Sequence, residues 1–263
     1  MRLLQLPRAD APAPTRPSGV REVARFNWPM YAVGATTVVL GWALARRLPV
    51  RPARLARAGA ATAAALLVGS TAATWWVYDH ARPFSFDWLD DLLPEGPGDH
   101  LVLSAGLDEA ARPLAARHPG AAQCVVDLYD PALMTTGSIR RAHRLTGGAA
   151  QGALPGRPTA LPVESAAHDS VFAVFAAHEL RRREDREALF AECVRVLRPG
   201  GALVLVEHRR DAANAAAYGP GAWHFLPRAE WLRLADHAGL RRGAERRIAG
   251  LVTAFAFRKE AAA

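Results

Sequence analysis

LPVESAAHDSVFAVFAAHELRRREDREALFAECVRVLRPGGALVLVEH, running from Leu161 to His208, holds two apolar runs of strand length, DSVFAVF at 169–175 and ALVLVE at 202–207. Between them the apolar residues of 183–198 recur at helical spacing, and Pro199, Gly200 and Gly201 close that helix. Proline cannot continue a helical ladder and glycine accepts the positive φ of a reversal, so the chain is turned straight into the next strand. Strands that are apolar along their whole length need cover on both faces, which predicts a parallel sheet inside an α/β domain.

The alternation extends outward in both directions. Strands are expected at 100–105, 122–128 and 158–161, with helices at 108–118 and 131–144. Toward the C-terminus a helix at 228–238 precedes two short strands, 246–248 and 251–257, close enough to pair antiparallel. Ligands of such open sheets sit beyond the carboxyl ends of the strands, which directs attention to the residues that follow each one.

The N-terminal part has a different character. Residues 1–57 hold ten Arg against Asp10 and Glu22, and the rest of the 263-residue chain is balanced, so the net charge of +8 sits there entirely. A nucleic-acid reader carries its basic footprint on the folded domain, so no nucleic-acid partner is expected. Phe26 to Ala45 is uncharged for twenty residues, enough to cross a hydrocarbon core of about 30 Å. A second, Ala-rich uncharged run extends from Ala58 to Tyr78. Trp28, Tyr31 and Trp42 flank the first run and Trp75, Trp76 and Tyr78 end the second, the positions that aromatic rings take at a membrane interface. The first run ends in Arg46-Arg47 and not in a small-residue cleavage site, so both helices are expected to be kept.

The expected organisation is a flexible basic tail at 1–25, a membrane-anchoring helical pair with an Arg-rich linker at 26–78, an aromatic lead-in at 79–98 and a domain at 99–263. Residues 1–78 are expected to be dispensable for the fold of the rest. Five Arg between 46 and 57 leave two topologies open: a tolerated transmembrane hairpin, or a first run that spans with the second along the inner surface. Cys124 and Cys193 are far apart in apolar stretches and read as core residues, and neither a cysteine knuckle nor an HExxH is present, so no metal site is expected.

The order and spacing of Leu161–His208 resemble the second half of class I S-adenosylmethionine-dependent methyltransferases of the quinone-biosynthesis and small-molecule type. An LP pair is followed by an acidic turn, a strand opening with Asp169, the helix end RVLRPGG at 195–201 and a strand ending in Glu207. The resemblance runs from about Leu101 to Leu240. It implies a Rossmann-like methyltransferase fold, a mostly parallel seven-stranded sheet with helices on both faces, here preceded by the two apolar helices. It also implies S-adenosylmethionine as cofactor, bound by Ser104, Ala105, Gly106 and Asp108 of the first loop and by Asp127 at the ribose hydroxyls. Leu128 and Met134 are the apolar neighbours of the adenine, and Leu161 opens the LP element beside them. Two positions depart from the family: Asp108 stands where a loop glycine is usual, and Arg157 stands where an acid accepts from the adenine amino group. Both imply weaker cofactor binding. Asp108 and Glu109 are alternatively partners of the cofactor's cationic end or helix N-terminal charges.

His178 and Glu179 follow the fourth strand, where the resemblance places residues near the transferred methyl group. His178 is the candidate base, and Glu179 orients it or pairs with Arg181 or Arg182. Glu207 and His208 form a second acid–His pair, and Trp223, His224 and Phe225 line an apolar pocket or pack as a lid. The expected protein is thus a membrane-anchored methyltransferase for a small, lipophilic acceptor, with membrane lipid as a partner and its domain on the cytoplasmic side of a bacterial-type inner membrane. The alternative is an inactive methyltransferase-fold scaffold at the membrane. Nothing in the residues specifies an oligomeric state.

Overall fold

The computed structural model describes residues 19–107, 109–148 and 150–261. Three helices come first, α1 (Gly19–Phe26), α2 (Trp28–Ala45) and α3 (Val50–Thr74), and five follow within the domain: α4 (Ala111–Arg117), α5 (Gly137–Thr146), α6 (Arg183–Val196), α7 (Ala212–Tyr218) and α8 (Arg228–His237). The strands are β1 (His100–Ser104), β2 (Gln123–Asp127), β3 (Leu154–Pro155), β4 (His168–Val174), β5 (Leu197–His208), β6 (Arg241–Ile248) and β7 (Val252–Arg258). They form one sheet in the order β3-β2-β1-β4-β5-β7-β6. β1 to β5 are parallel, and β7 runs antiparallel between β5 and β6.

Period-two alternation divides the core into two layers. Leu101, Leu103, Val126, Val171, Leu203, Leu205, Phe255 and Phe257 face α6 and α8, whose Phe190, Cys193, Trp231 and Leu234 complete that layer. Val102, Val125, Phe172, Val204 and Ala254 face the opposite way, onto Leu114 of α4 and onto Phe86, Trp88, Leu89, Leu92 and Leu93. Each large side chain so buried contributes about 1.5–3 kcal/mol. The lead-in expected at 79–98 therefore packs into one of the two core layers. Val77 is fully buried in the same layer, so the fold reaches back into the segment expected to be dispensable.

Several sequence expectations need correction: β6 begins at Arg241 and not at 246, and α5 spans Gly137–Thr146 and not 131–144. The third strand lies at Leu154–Pro155 instead of 158–161, where Arg157 and Ala160 close a tight turn. Its two residues form an exposed edge, one of the places in a sheet where proline is tolerated. The helix before the PGG turn ends at Val196, and Pro199 to Gly201 form a bulge inside β5, where the register on β4 slips between His168 and Ser170. Of the tail expected to be flexible at 1–25, residues 1–18 lie outside the described residues, and from Gly19 onward it is helical.

That last helix is held by contacts remote in sequence. The Asp79 carboxylate accepts from the Gly19 and Val20 amides at 2.8 and 2.9 Å, capping α1 from the other end of the α2–α3 pair. Arg141 of α5 donates to the Phe26 carbonyl at its C-terminus. In the pair itself Gly34 meets Leu67 and Gly41 meets Ala60, the register of an antiparallel hairpin packed through small residues. Both helices are long and apolar enough to cross a membrane, and Val33, Val39, Leu40, Leu55 and Val68 are exposed on them.

Asp79→Ala should remove the α1 cap, a loss of about 0.5–2 kcal/mol confined to that helix. Amide exchange at residues 19–22 should accelerate while the sheet stays protected; unchanged exchange there would show that packing alone holds α1.

Candidate functional site

The carboxyl ends of β1, β2, β4 and β5 converge on one edge of the sheet, and their side chains fall into two groups. At the first, Gly106 turns out of β1 with φ +80° and donates its amide to Asp127 Oδ1 at 2.7 Å. The Tyr129 amide donates to the same oxygen at 3.2 Å. Asp127 thus ties the loop after β1 to the loop after β2. A Cβ at Gly106 would meet Tyr129 and His143 within 3 Å, and those two rings stack on each other at 3.9 Å. Ser104 and Ala105 are buried beneath this turn, and Leu128, Met134 and Leu161 are buried beside it. Leu161 is fixed by α6, with its amide on Glu192 at 2.7 Å and its carbonyl on Arg195 at 3.0 Å. Asp108 lies outside the described residues.

The second group forms where β4 leaves the sheet. Phe175 adopts φ +52°, a costly conformation for an aromatic residue, and it turns the chain into the short helical segment Ala177–Glu179. His178 Nδ1 lies 2.7 Å from Glu207 Oε2, and the His178 amide donates to Glu207 Oε1 at 3.1 Å. On the other side of the ring His178 Nε2 is 3.4 Å from Glu179 Oε1, and His224 Nε2 is 3.7 Å from that oxygen. Thr136 donates to Glu179 Oε2 at 2.9 Å. Glu179 and Glu207 are 5% and 1% exposed.

Burial works against a charge on His178, but Glu207 and Glu179 outweigh it and lift its pKa to about 10. In this arrangement it is a proton donor, so the expectation that it acts as base meets a ring already engaged by two carboxylates. Burial alone would raise the Glu179 carboxyl; His178 and His224 instead hold it far below the usual range. Arg181 and Arg182, expected as its partners, are elsewhere. Arg181 donates to the carbonyls of His178 and His224, and Arg182 pairs with Glu184.

The expected Glu207–His208 pair is also corrected, because adjacent strand residues point to opposite faces. His208 lies on the other face, with Nε2 3.1 Å from the Tyr78 hydroxyl and Nδ1 3.1 Å from Asn214 Oδ1 and 3.2 Å from the Leu251 carbonyl. Its ring stacks between Phe175 and Phe225. Thr136, Tyr78 and Asn214 were not recognisable as participants from sequence, since each arrives from a segment with no motif. Trp223 is 72% exposed and Phe225 stacks on His208, so of that segment His224 is the one that reaches Glu179.

The strand order, with one reversed strand beside the edge, is that of a class I methyltransferase fold. The family model described as "Methyltransferase domain" matches residues 101–205, from β1 through most of β5. An O-methyltransferase family protein from Burkholderia thailandensis is similar at 14% identity, over 93% of this chain and 73% of that one, with a TM-score of 0.52. An O-methyltransferase family 2 protein from Planctomyces limnophilus, solved with apigenin, is similar at 15% identity over 79% and 69%, with a TM-score of 0.50. These likenesses are of fold. No curated protein matches. The domain match supports a class I S-adenosylmethionine-dependent methyltransferase with S-adenosylmethionine as its cofactor.

Burial pushes the His208 pKa from 6.5 down to about 4. The unfolded chain therefore binds this proton first, and His208 removes stability as pH falls from about 6.5 toward 4, by at most about 1.4 kcal/mol per pH unit. Denaturant unfolding across that range should show a shallower decline for His208→Gln than for the natural protein; parallel curves would mean that His208 charges freely when folded.

Proposed function

We propose that the protein is a membrane-anchored S-adenosylmethionine-dependent methyltransferase of the quinone-biosynthesis and small-molecule type, acting on a small, lipophilic acceptor. The observation that carries this reading is the coincidence of the methyltransferase-domain match with an acid, Asp127, bonded to the backbone of Gly106 at the strand ends. In this assignment the carboxylate belongs at the ribose hydroxyls, the Gly106 backbone, packed on one side by Tyr129 and His143, at the methionine end, and Leu128, Met134 and Leu161 around the adenine. Asp108 is assigned to the cationic end of the same cofactor. When bound, S-adenosylmethionine supplies a methyl group on a sulfonium, open to in-line displacement. The chain's own task is then mainly positioning. His178 and Glu179 hold the acceptor, with Glu207 fixing the ring of His178 from behind.

Membrane attachment is supported by the exposed apolar side chains of α2 and α3 and by where the hairpin sits. Gly219, at the end of α7, packs against Leu66 of α3, and the segment from Gly219 to His224 leads directly to the site. The exposed Trp223 lies in that segment, next to His224. A lipophilic acceptor would so reach the strand ends from the membrane without crossing water. Arg46 and Arg47 at the turn between α2 and α3, with Arg51, Arg54 and Arg57 in the first turns of α3, suit contact with lipid phosphates, and α2, apolar on all sides, suits spanning the bilayer.

Asp127→Ala should weaken S-adenosylmethionine binding by about 1.5–3 kcal/mol, the scale of hydrogen bonds to a charged group. Calorimetric titration measures it, and unchanged affinity would place the cofactor elsewhere. The full chain should sediment with membranes in the absence of detergent; its recovery in a high-speed supernatant would contradict the anchor.

A further inference from the structure

The side chains around Glu179 have a geometry that hydrogen bonding alone does not explain. His178 Nε2 and His224 Nε2 approach the same oxygen, Glu179 Oε1, at 3.4 and 3.7 Å. A charge-assisted N–H···O bond closes to about 2.7–2.9 Å, as the other nitrogen of His178 does on Glu207. Ligands that share one tetrahedral ion with bonds near 2.0–2.1 Å are instead separated by about 3.3 Å. The three donor atoms all lie within 4.8 Å of one another.

The supporting groups match as well. His178 Nδ1 is engaged by Glu207, which leaves Nε2 as the atom facing inward and forms the carboxylate–histidine unit that orients metal-binding imidazoles. Thr136 occupies Glu179 Oε2, so Oε1 is the oxygen available to an ion. Arg181 donates to the backbone carbonyls of both histidines, at 3.1 and 2.9 Å, fixing the spacing of two segments that are far apart in sequence. Charge points the same way. Glu179 and Glu207 are both buried, and among the described residues neither has an Arg or Lys ion pair. One dication that displaces the proton His178 carries in its absence, bound by two neutral imidazoles, would balance them.

We propose that His178, Glu179 and His224 bind one divalent first-row transition-metal ion, with a coordination position open to the crevice. Two imidazoles and a carboxylate suit Zn2+ or Co2+, and suit poorly Mg2+ or Ca2+, which take shells of oxygen. Three protein ligands with one open position is the arrangement of reactive and not of structural zinc sites. In the function proposed above the open position receives an oxygen or nitrogen of the acceptor; that clause rests on the methyltransferase reading, whereas ion binding does not.

The test uses the full chain in detergent, stripped with chelator and titrated with Co2+ without S-adenosylmethionine. One equivalent should bind, with visible absorption of four- or five-coordinate intensity, and one equivalent of Zn2+ should displace it. His224→Ala removes a half-exposed ligand and should lower Zn2+ affinity by at least about 100-fold, with circular dichroism unchanged. Glu207→Gln, which touches no ion, should lower it by about 10- to 100-fold. Zn2+ should raise the melting temperature of the natural protein but not of His224→Ala. Absence of saturable Co2+ binding, or full stoichiometric binding retained in both His224→Ala and Glu179→Gln, would overturn the proposal and leave a hydrogen-bonded cluster.

Discussion

A carboxylate with almost no solvent contact at the end of a central strand must find a partner, and the arrangement around Glu207 is organised by that requirement. Leaving such a charge unpaired costs about 3–5 kcal/mol, a large part of a domain's stability. Both of its oxygens are taken by a single residue, His178, through ring and backbone. This fixes how β4 ends. Phe175 accepts a left-handed conformation, and the turn that follows brings Glu179 over the strand ends, where Thr136 and His224 reach it. Asp127 has the same role one strand pair away, tying Gly106 and Tyr129 together. In the function proposed above, Asp127 belongs to the cofactor end of the strand ends and Glu207, with Glu179, to the acceptor end.

The N-terminal helices are part of this arrangement. Asp79 caps α1, Arg141 of α5 holds the end of α1, and Tyr78 reaches His208 behind β5. α3 lies against the end of α7, and α7 leads to His224. Movement of the hairpin would therefore be felt at the segment that carries one side of the site. A purely tethering anchor needs no such contacts, and their presence connects the proposed membrane surface with access to the strand ends.

Much of the fold was legible because it rests on local patterns. The runs at 101–103 and 171–174 are apolar throughout, and an acid closing a strand, as at Asp127 and Glu207, stands out against such neighbours. Leu154–Pro155 was missed because proline and the following Gly156 read as a break, and an edge strand of two residues carries no period. Phe84 to Leu93 read as a lead-in closed by a boundary because breakers follow it, although Phe86, Trp88, Leu89, Leu92 and Leu93 pack under one face of the sheet. At the candidate site, His178 and Glu179 were singled out by their position after a strand. The true partner of His178 was hidden by adjacency in sequence, since Glu207 and His208 look like a pair and point apart. His224 joins Glu179 from 45 residues away, a contact set by tertiary packing that no spacing encodes.

The central claim is that the strand ends from β1 to β5 form a cofactor crevice, and hydrogen–deuterium exchange of the full chain with and without S-adenosylmethionine tests it most directly. The account predicts added protection at residues 104–107 and 127–134, with none along β6 at the far edge. Protection confined to other regions, or no change at saturating cofactor, would contradict it.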